Sequence, residues 1–160
     1  MKRTGEFFAW LVCVLKPNQV VEIGSAFGVS GMYWCAGLSA LRAGEFTGFE
    51  PNSAWSPYAK SNITAILKDA RLIKGTFEEN LAEAPDSIDL AFIDAIHTPE
   101  FVDTQLNLVL ERSHKGTLIV LDDIRFSTEM SDYWLQVRDD ARFSAAFEFT
   151  RRVGFLEFSG

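Results

Sequence analysis

A chain of 160 residues with 48% hydrophobic and 23% charged residues is long enough to build one domain with a real core, and global disorder is excluded. The formal net charge is −7, and no run of Lys and Arg exceeds the two residues of Lys2-Arg3 or Arg151-Arg152, so a nucleic-acid partner is not expected. Cys13 and Cys35 make neither a CxxC pair nor a zinc pattern, which suits two buried thiols in a reducing cytoplasm.

In chain order, Phe7–Leu15 reads as a short helix stopped at Lys16-Pro17-Asn18. It is too short to span a bilayer and lacks a small-residue cleavage site, so neither a membrane anchor nor a signal peptide is expected. Val20–Ile23 is an apolar run before glycine, as in a buried parallel strand. Gly24–Gly28 is a loop, and Val29–Leu41 carries apolar residues at helical spacing. Phe46–Phe49 is a second strand. Ser56-Pro57 predicts a helix start, with Ser56 as cap and Pro57 in the first turn, running to about Leu67.

Arg71–Lys74 is a third strand, and Thr76-Phe77-Glu78-Glu79 matches a capping box that opens another helix. Ile88–Ile93 is the fourth strand. Thr98-Pro99 starts a helix with Val102, Leu106, Val109 and Leu110 on one face. Thr117–Leu121, opened by Gly116, is the fifth strand, and Met130, Trp134 and Val137 mark one more helix. Phe143–Phe149 and Val153–Phe158, joined by Thr150-Arg151-Arg152, read as a hairpin. Strands alternating with helices predict a single domain over 1–160. Its class is α/β, a doubly wound, Rossmann-like and mostly parallel sheet with helices on both faces and a C-terminal antiparallel hairpin.

Ligands of such sheets bind beyond the carboxyl ends of the strands. That rule selects Gly24–Gly28, Glu50, Gly75–Phe77, Asp94–His97 and Asp122-Asp123. Glycines between a strand and a helix let a ligand approach the backbone and the helix N–H groups. The spacing is GxxxG, with Ala26 where the dinucleotide fingerprint wants glycine, which disfavours a nicotinamide enzyme. A plain strand–helix turn would use the same glycines. Glu50, at the end of the second strand, can accept hydrogen bonds from both hydroxyls of a ribose. The alternative is an exposed loop carboxylate.

With these residues in place, the chain resembles the class I S-adenosylmethionine-dependent methyltransferase superfamily. The nearer likeness is to the small O-methyltransferases, catechol-type and sugar enzymes among them. The resemblance runs from about Gly5 to Phe158. Its first motif matches Glu22–Ser30, which implies cofactor contacts from Glu22, Gly24, Ser25, Gly28 and Ser30. Its ribose acid matches Glu50. Its adenine-side loop matches Gly75-Thr76-Phe77, although Thr76 is also explained as a helix cap and Phe77 as core. Its fourth-strand motif matches Phe92–His97, with Asp94 beside the cofactor, and its fifth-strand end matches Val120–Asp123. The last strand is implied to insert beside the fifth.

Asp94, Asp122 and Asp123 should converge, and three crowded carboxylates repel one another unless protonated or neutralised by a cation. An all-oxygen site suits Mg²⁺, Mn²⁺ or Ca²⁺, and the resemblance implies a metal that grips the acceptor oxygens. The alternative is that Asp94 touches only the cofactor while Asp122 and Asp123 bond the following loop. His97 is either the general base that takes the hydroxyl proton or a loop histidine bonded to backbone. His114 lies at the far end of the sheet and takes no role.

Pro99 and Gln105 depart from the pattern, which often has Tyr and an acidic residue there. The N-terminal helical region is short, so the site for a small-molecule methyl acceptor is open or completed by a second subunit. Metal-assisted O-methylation is the leading expectation. The alternatives are a metal-independent methyltransferase acting on N, O or another atom, a non-catalytic binding module, and an aminopropyl transferase of the related polyamine fold.

Overall fold

The computed structural model describes residues 2–160. The chain divides into two compact units, Met1–Pro85 and Asp86–Gly160.

The first unit holds helix α1 (Lys2–Leu15), strand β1 (Gln19–Ile23), α2 (Val29–Leu41), β2 (Glu45–Glu50), α3 (Ser56–Ile66), β3 (Arg71–Lys74) and a 3₁₀ segment over Glu78–Glu83. Its strands run in the order β3-β2-β1, all parallel, with Ile23 beside Phe49 and Glu50 beside Lys74. Val20, Val21 and Ile23 of β1 and Phe46 and Phe49 of β2 are fully or almost fully buried. Burial on both faces is why these strands read as apolar runs rather than as alternation.

Helix α1 begins five residues earlier than expected, at Lys2. Gly5 broke the apolar pattern, but its missing side chain is what admits the ring of Tyr33, which lies where a Cβ would stand. Phe8 stacks on Trp34 with ring centroids 4.1 Å apart. Gly37 lets α1 and α2 approach closely, since a Cβ there would meet Val12 Cβ at 2.6 Å and the Ala9 carbonyl oxygen at 2.8 Å. Gly37→Val is therefore expected to cost about 1–3 kcal/mol by overpacking, read as a lower midpoint in urea. An unchanged midpoint would mean that α1 is not held against α2.

The cap of α3 is not Ser56. Trp55 occupies the N-cap position, and Ser56 lies inside the helix and is buried. Asn52 turns the chain instead, its Oδ1 accepting from the N–H groups of Ala54 at 2.9 Å and Trp55 at 3.3 Å. An Asn side chain two residues before the turn serves as well as a serine cap. At the next predicted start, Thr76 Oγ1 does accept from the Glu79 N–H at 3.3 Å. The segment it opens is 3₁₀, kinked at Asn80, rather than an α-helix.

The second unit holds β4 (Ile88–Ile93), α4 (Pro99–Leu110), β5 (Ser113–Leu121), α5 (Thr128–Val137), β6 (Phe143–Phe149) and β7 (Val153–Phe158). Its strands run in the order β4-β5-β7-β6. β4 and β5 are parallel, while β7 is antiparallel to both β5 and β6. The expected terminal hairpin is present, with its last strand beside the fifth.

β5 starts earlier than Thr117, because a register shift accommodates Ser113–Gly116. Thr117 stitches that irregularity, its hydroxyl donating to the Ile88 carbonyl at 2.7 Å and accepting from the His114 N–H at 3.0 Å. Trp134 is buried, with Gly154 lying close against its ring. Its Nε1–H donates to Glu148 at 2.7 Å.

Cys13 and Cys35 are both free, Cys35 buried and Cys13 only partly so. No helix among the described residues is long and apolar enough to cross a membrane.

Candidate active site

In the first unit, the carboxyl ends of β1 and β2 bring Glu22, Ser25 and Glu50 together. Glu50 is 3% exposed and acts as a brace for the glycine loop. One of its oxygens accepts from the Ala26 N–H at 2.6 Å, and the other accepts from the Asn52 N–H at 2.7 Å. The carboxylate is thus a structural tie between β1's loop and β2's end. Each oxygen keeps a further lone pair for a ligand hydroxyl.

The loop itself is tightly wound. Gly24 and Ser25 both donate from backbone N–H to the Phe49 carbonyl, at 3.0 and 3.1 Å, and Gly28 donates to the Ser25 carbonyl at 2.6 Å. Gly24 and Gly28 have φ of 90° and 81°, and Ala26 has φ of 45°. The left-handed region is costly for alanine, and such strain gathers where a site needs it. At Gly28 a second reason applies: a Cβ would come within 3.0 Å of the Ala59 backbone. No side chain caps the start of α2, so its first-turn N–H groups are available to an acceptor.

Glu22 lies under this loop and is fully buried. Ser25 Oγ donates to its Oε2 at 2.7 Å, while Oε1 is buried with no hydrogen-bond partner. Burial pushes its pKa up to about 7. The nearby Ser30 and Ser25 hydroxyls oppose that rise, and the charge of Glu50 adds to it. An orphaned acidic oxygen below a strained glycine loop fits a cationic group bound above it.

Thr76 and Phe77 follow β3. Phe77 is fully buried, its ring edge-on to Phe49 at 5.1 Å, so the ring packs in the core of this unit. At the rim of the loop, Phe27 lies 5.4 Å from Trp55 and 6.3 Å from Tyr58, and all three are largely exposed.

In the second unit, the ends of β4 and β5 bring Asp94, His97, Asp122 and Asp123 together. His97 Nε2 stands 3.7 Å from Asp94 Oδ1 and 3.5 Å from Asp123 Oδ2. Phe126 lies against the His97 ring, centroids 5.2 Å apart. Asp123 has a φ of 50°, a conformation that aspartate tolerates better than most residues.

The residue that sequence reasoning missed is Arg152. Its Nε and Nη2 donate to both oxygens of Asp122, at 2.8 and 2.6 Å. Nε also lies 3.0 Å from Asp123 Oδ1. The paired carboxylates that were expected to need a metal therefore have a guanidinium beside them.

With both Asp122 oxygens occupied, Asp94, Asp122 and Asp123 do not fit a divalent ion as they stand. Among the described residues no group of three or more His, Cys, Asp or Glu is arranged to hold one. A signal for Arg152 was present in the sequence. If β7 runs antiparallel to β5, the residue before β7 must fall beside the residues after β5. The observed register sets Leu121 against Gly154 and bonds the Ile124 N–H to the Arg152 carbonyl at 3.0 Å.

His114 lies at the start of β5, 2.9 Å from Asp89, away from these carboxyl ends. Gln105, one of the departures from the family pattern, is fully buried in α4.

A family model described as a methyltransferase domain matches residues 21–124. Over 108 residues, 59% of this chain, the sequence is 29% identical to an uncharacterized protein of Sinorhizobium fredii, and it spans 12% of that protein's length.

Among solved structures, the O-methyltransferase from Bacillus cereus in complex with SAH is similar with a TM-score of 0.78, covering 98% of this chain and 81% of that one at 19% identity. SAH-bound Podospora anserina methyltransferase PaMTH1 gives 0.81 over 98% of this chain and 78% of that one at 16% identity. The O-methyltransferase TomG from Streptomyces achromogenes, involved in tomaymycin synthesis and in complex with SAM, gives 0.78 over 99% and 80% at 15% identity. At these identities the likeness shows a shared Rossmann-like fold.

Proposed function

The chain belongs to the methyltransferase-domain family, and from that premise we propose that it transfers a methyl group from S-adenosylmethionine to a hydroxyl oxygen of a small molecule. The observation that carries the reading is the Glu50 brace. A buried carboxylate at the end of β2 is hydrogen-bonded to the glycine loop after β1, and such a carboxylate, beside a backbone that a ligand can approach, would suit ribose hydroxyls.

Residues of the first unit would hold the cofactor. Glu50 would accept the ribose hydroxyls. Gly24, Ser25, Gly28 and Ser30 would shape the loop over its amino-acid end, with Glu22 supplying negative charge from below. Thr76, after β3, would border the remainder. The cofactor supplies an electrophilic methyl on sulfonium.

Residues of the second unit would serve the acceptor. His97, flanked by Asp94 and Asp123, would take the hydroxyl proton while the oxygen attacks. The O–CH₃ bond would form as the S–CH₃ bond broke, with the sulfur leaving as a neutral thioether. The rest of the acceleration is positioning of the two reactants.

The metal expected from the resemblance would add Lewis acidity at the acceptor oxygen. The grip of Arg152 on Asp122 is the observation against it, and no step of the proposed reaction passes through a cation.

Isothermal calorimetry with S-adenosylhomocysteine tests the cofactor half. Glu50→Gln is expected to weaken binding by about 1.5–3 kcal/mol, as for a charge-assisted hydrogen bond. Because Glu50 also braces the loop, the melting temperature of the variant must be read alongside. Wild-type protein that binds NADH and not S-adenosylhomocysteine would overturn the proposal.

A further inference from the structure

We propose that Arg152 is the resident cation of the Asp122–Asp123 pair, a positioning residue that takes the place of a divalent metal. The inference rests on the methyl-transfer reading only for what the pair does, and its own evidence is geometric.

The first observation is saturation of the donor set. A metal ion needs carboxylate oxygens directed at it. Both oxygens of Asp122 accept from Arg152, and Nε lies close to Asp123 as well. A guanidinium in a two-bond grip on one carboxylate is planar, permanently charged and hard to displace. Asp122 is 6% exposed while the Arg152 side chain is 44% exposed, so the pair is shielded on the carboxylate side and open on the guanidinium side.

The second observation is how the chain delivers the arginine. Thr150 and Arg151 both have φ of 56°, and the Arg152 N–H returns to the Phe149 carbonyl at 3.2 Å. Phe149 pairs with Val153, so Thr150, Arg151 and Arg152 link the strands, and the two central residues of the turn lie in the positive-φ region that normally takes Asn-Gly. Thr in that region is a costly choice. The three-residue link nevertheless fixes the register of β7, with Phe149 opposite Val153 and Gly154 opposite Leu121, and so the place of Arg152 beside the end of β5. Backbone strain kept in a turn that positions one charged residue points to that residue having a task.

The consequence for the site is a division of labour. Arg152 sets a fixed positive charge beside Asp122 and Asp123 without a metal. Asp123 stands 3.5 Å from His97 Nε2, beside the imidazole that would take the acceptor's proton. The acceptor that fits is one whose hydroxyl needs a base and not a chelating metal, hence a single hydroxyl rather than an obligatory pair of adjacent ones.

Electron paramagnetic resonance of Mn²⁺, which reads free ion directly, tests the proposal on the intact chain. Wild type is expected to leave millimolar Mn²⁺ free and to show no melting shift with Mg²⁺. Arg152→Met is expected to bind Mn²⁺ at least about tenfold more tightly than wild type, because it uncovers a carboxylate pair to a hard cation. Arg152→Lys keeps one positive charge and is expected to stay near wild type. A purely structural arginine would lower the melting temperature on removal without creating a metal site.

Tight Mn²⁺ binding by wild type, abolished in Asp122→Asn, overturns the proposal. So does a folded Arg152→Met that still ignores Mn²⁺. The wild-type measurement decides the matter even if Arg152→Met does not fold. Calorimetry with S-adenosylhomocysteine, run in EDTA on wild type, separates failure of the cofactor reading from failure of this one.

Discussion

A Phe77→Ala protein is expected to lose about 3–5 kcal/mol of stability, the range for emptying a large buried aromatic site. Phe77 is fully buried and meets Phe49 edge-on at 5.1 Å, an arrangement that adds to its area term. Phe77→Leu refills most of the volume and is expected to cost less than about 1.5 kcal/mol. Urea denaturation of the two variants gives the numbers, and S-adenosylhomocysteine titration of the Leu variant gives the meaning. Retained affinity assigns the ring to the core. A Leu variant of near-normal stability with affinity down by about tenfold, 1.4 kcal/mol, would assign it to the adenine side instead.

That ambiguity was already visible in the sequence, and its source is physical. A phenylalanine after a strand carries no mark of which way it points, because both the core and an adenine face reward the same apolar ring. Elements marked by an apolar run or by alternation were legible. β1, β2 and β4 stood out as short apolar runs before turn residues, and the antiparallel ending showed in the alternation of Phe143–Phe149. Ends set by side-chain bonds were less so. Ser56 looked like a cap, but Asn52 makes the turn, and both are residue types that bond nearby N–H groups.

The same limit governed the candidate site. Glu50 and the glycine loop follow strands directly, and strand ends were predictable. The carboxylates were also placed correctly at the ends of β4 and β5. What failed was the charge balance, which counted Asp94, Asp122 and Asp123 and no cation. Arg152 lies 30 positions from Asp122 and reaches it only through the hairpin's register. A basic residue in a turn reads as solvated until the pairing of β7 with β5 is taken literally.

The remaining large effect concerns Glu22 and pH. Its carboxyl titrates at about 7 in the folded protein against an ordinary value of 4.5, with burial as the main cause. Between those values the folded chain holds a proton that the unfolded chain has released, so stability falls as pH rises through that window and levels off above about 7. The rise corresponds to about 3 kcal/mol of penalty for ionised Glu22 at alkaline pH.

Glu22→Gln removes the titration. The variant is expected to be flat across the window where wild type declines, and to gain up to about 3 kcal/mol relative to it at pH 8. The Ser25 hydroxyl can still donate to the amide oxygen in place of Oε2. Urea melts of both proteins from pH 4.5 to pH 8.5 check this, and parallel curves would show that Glu22 is not the titrating group.

The unliganded cost has a functional counterpart under the cofactor reading. A ligand with a cationic amino-acid end, bound over Gly24–Gly28, favours ionised Glu22. Binding near pH 7 should therefore expel a proton. Calorimetry of S-adenosylhomocysteine in two buffers of different ionisation enthalpy measures that proton. Its disappearance in Glu22→Gln would tie the orphaned oxygen to the ligand, whereas equal enthalpies in both buffers for wild type would cut the link.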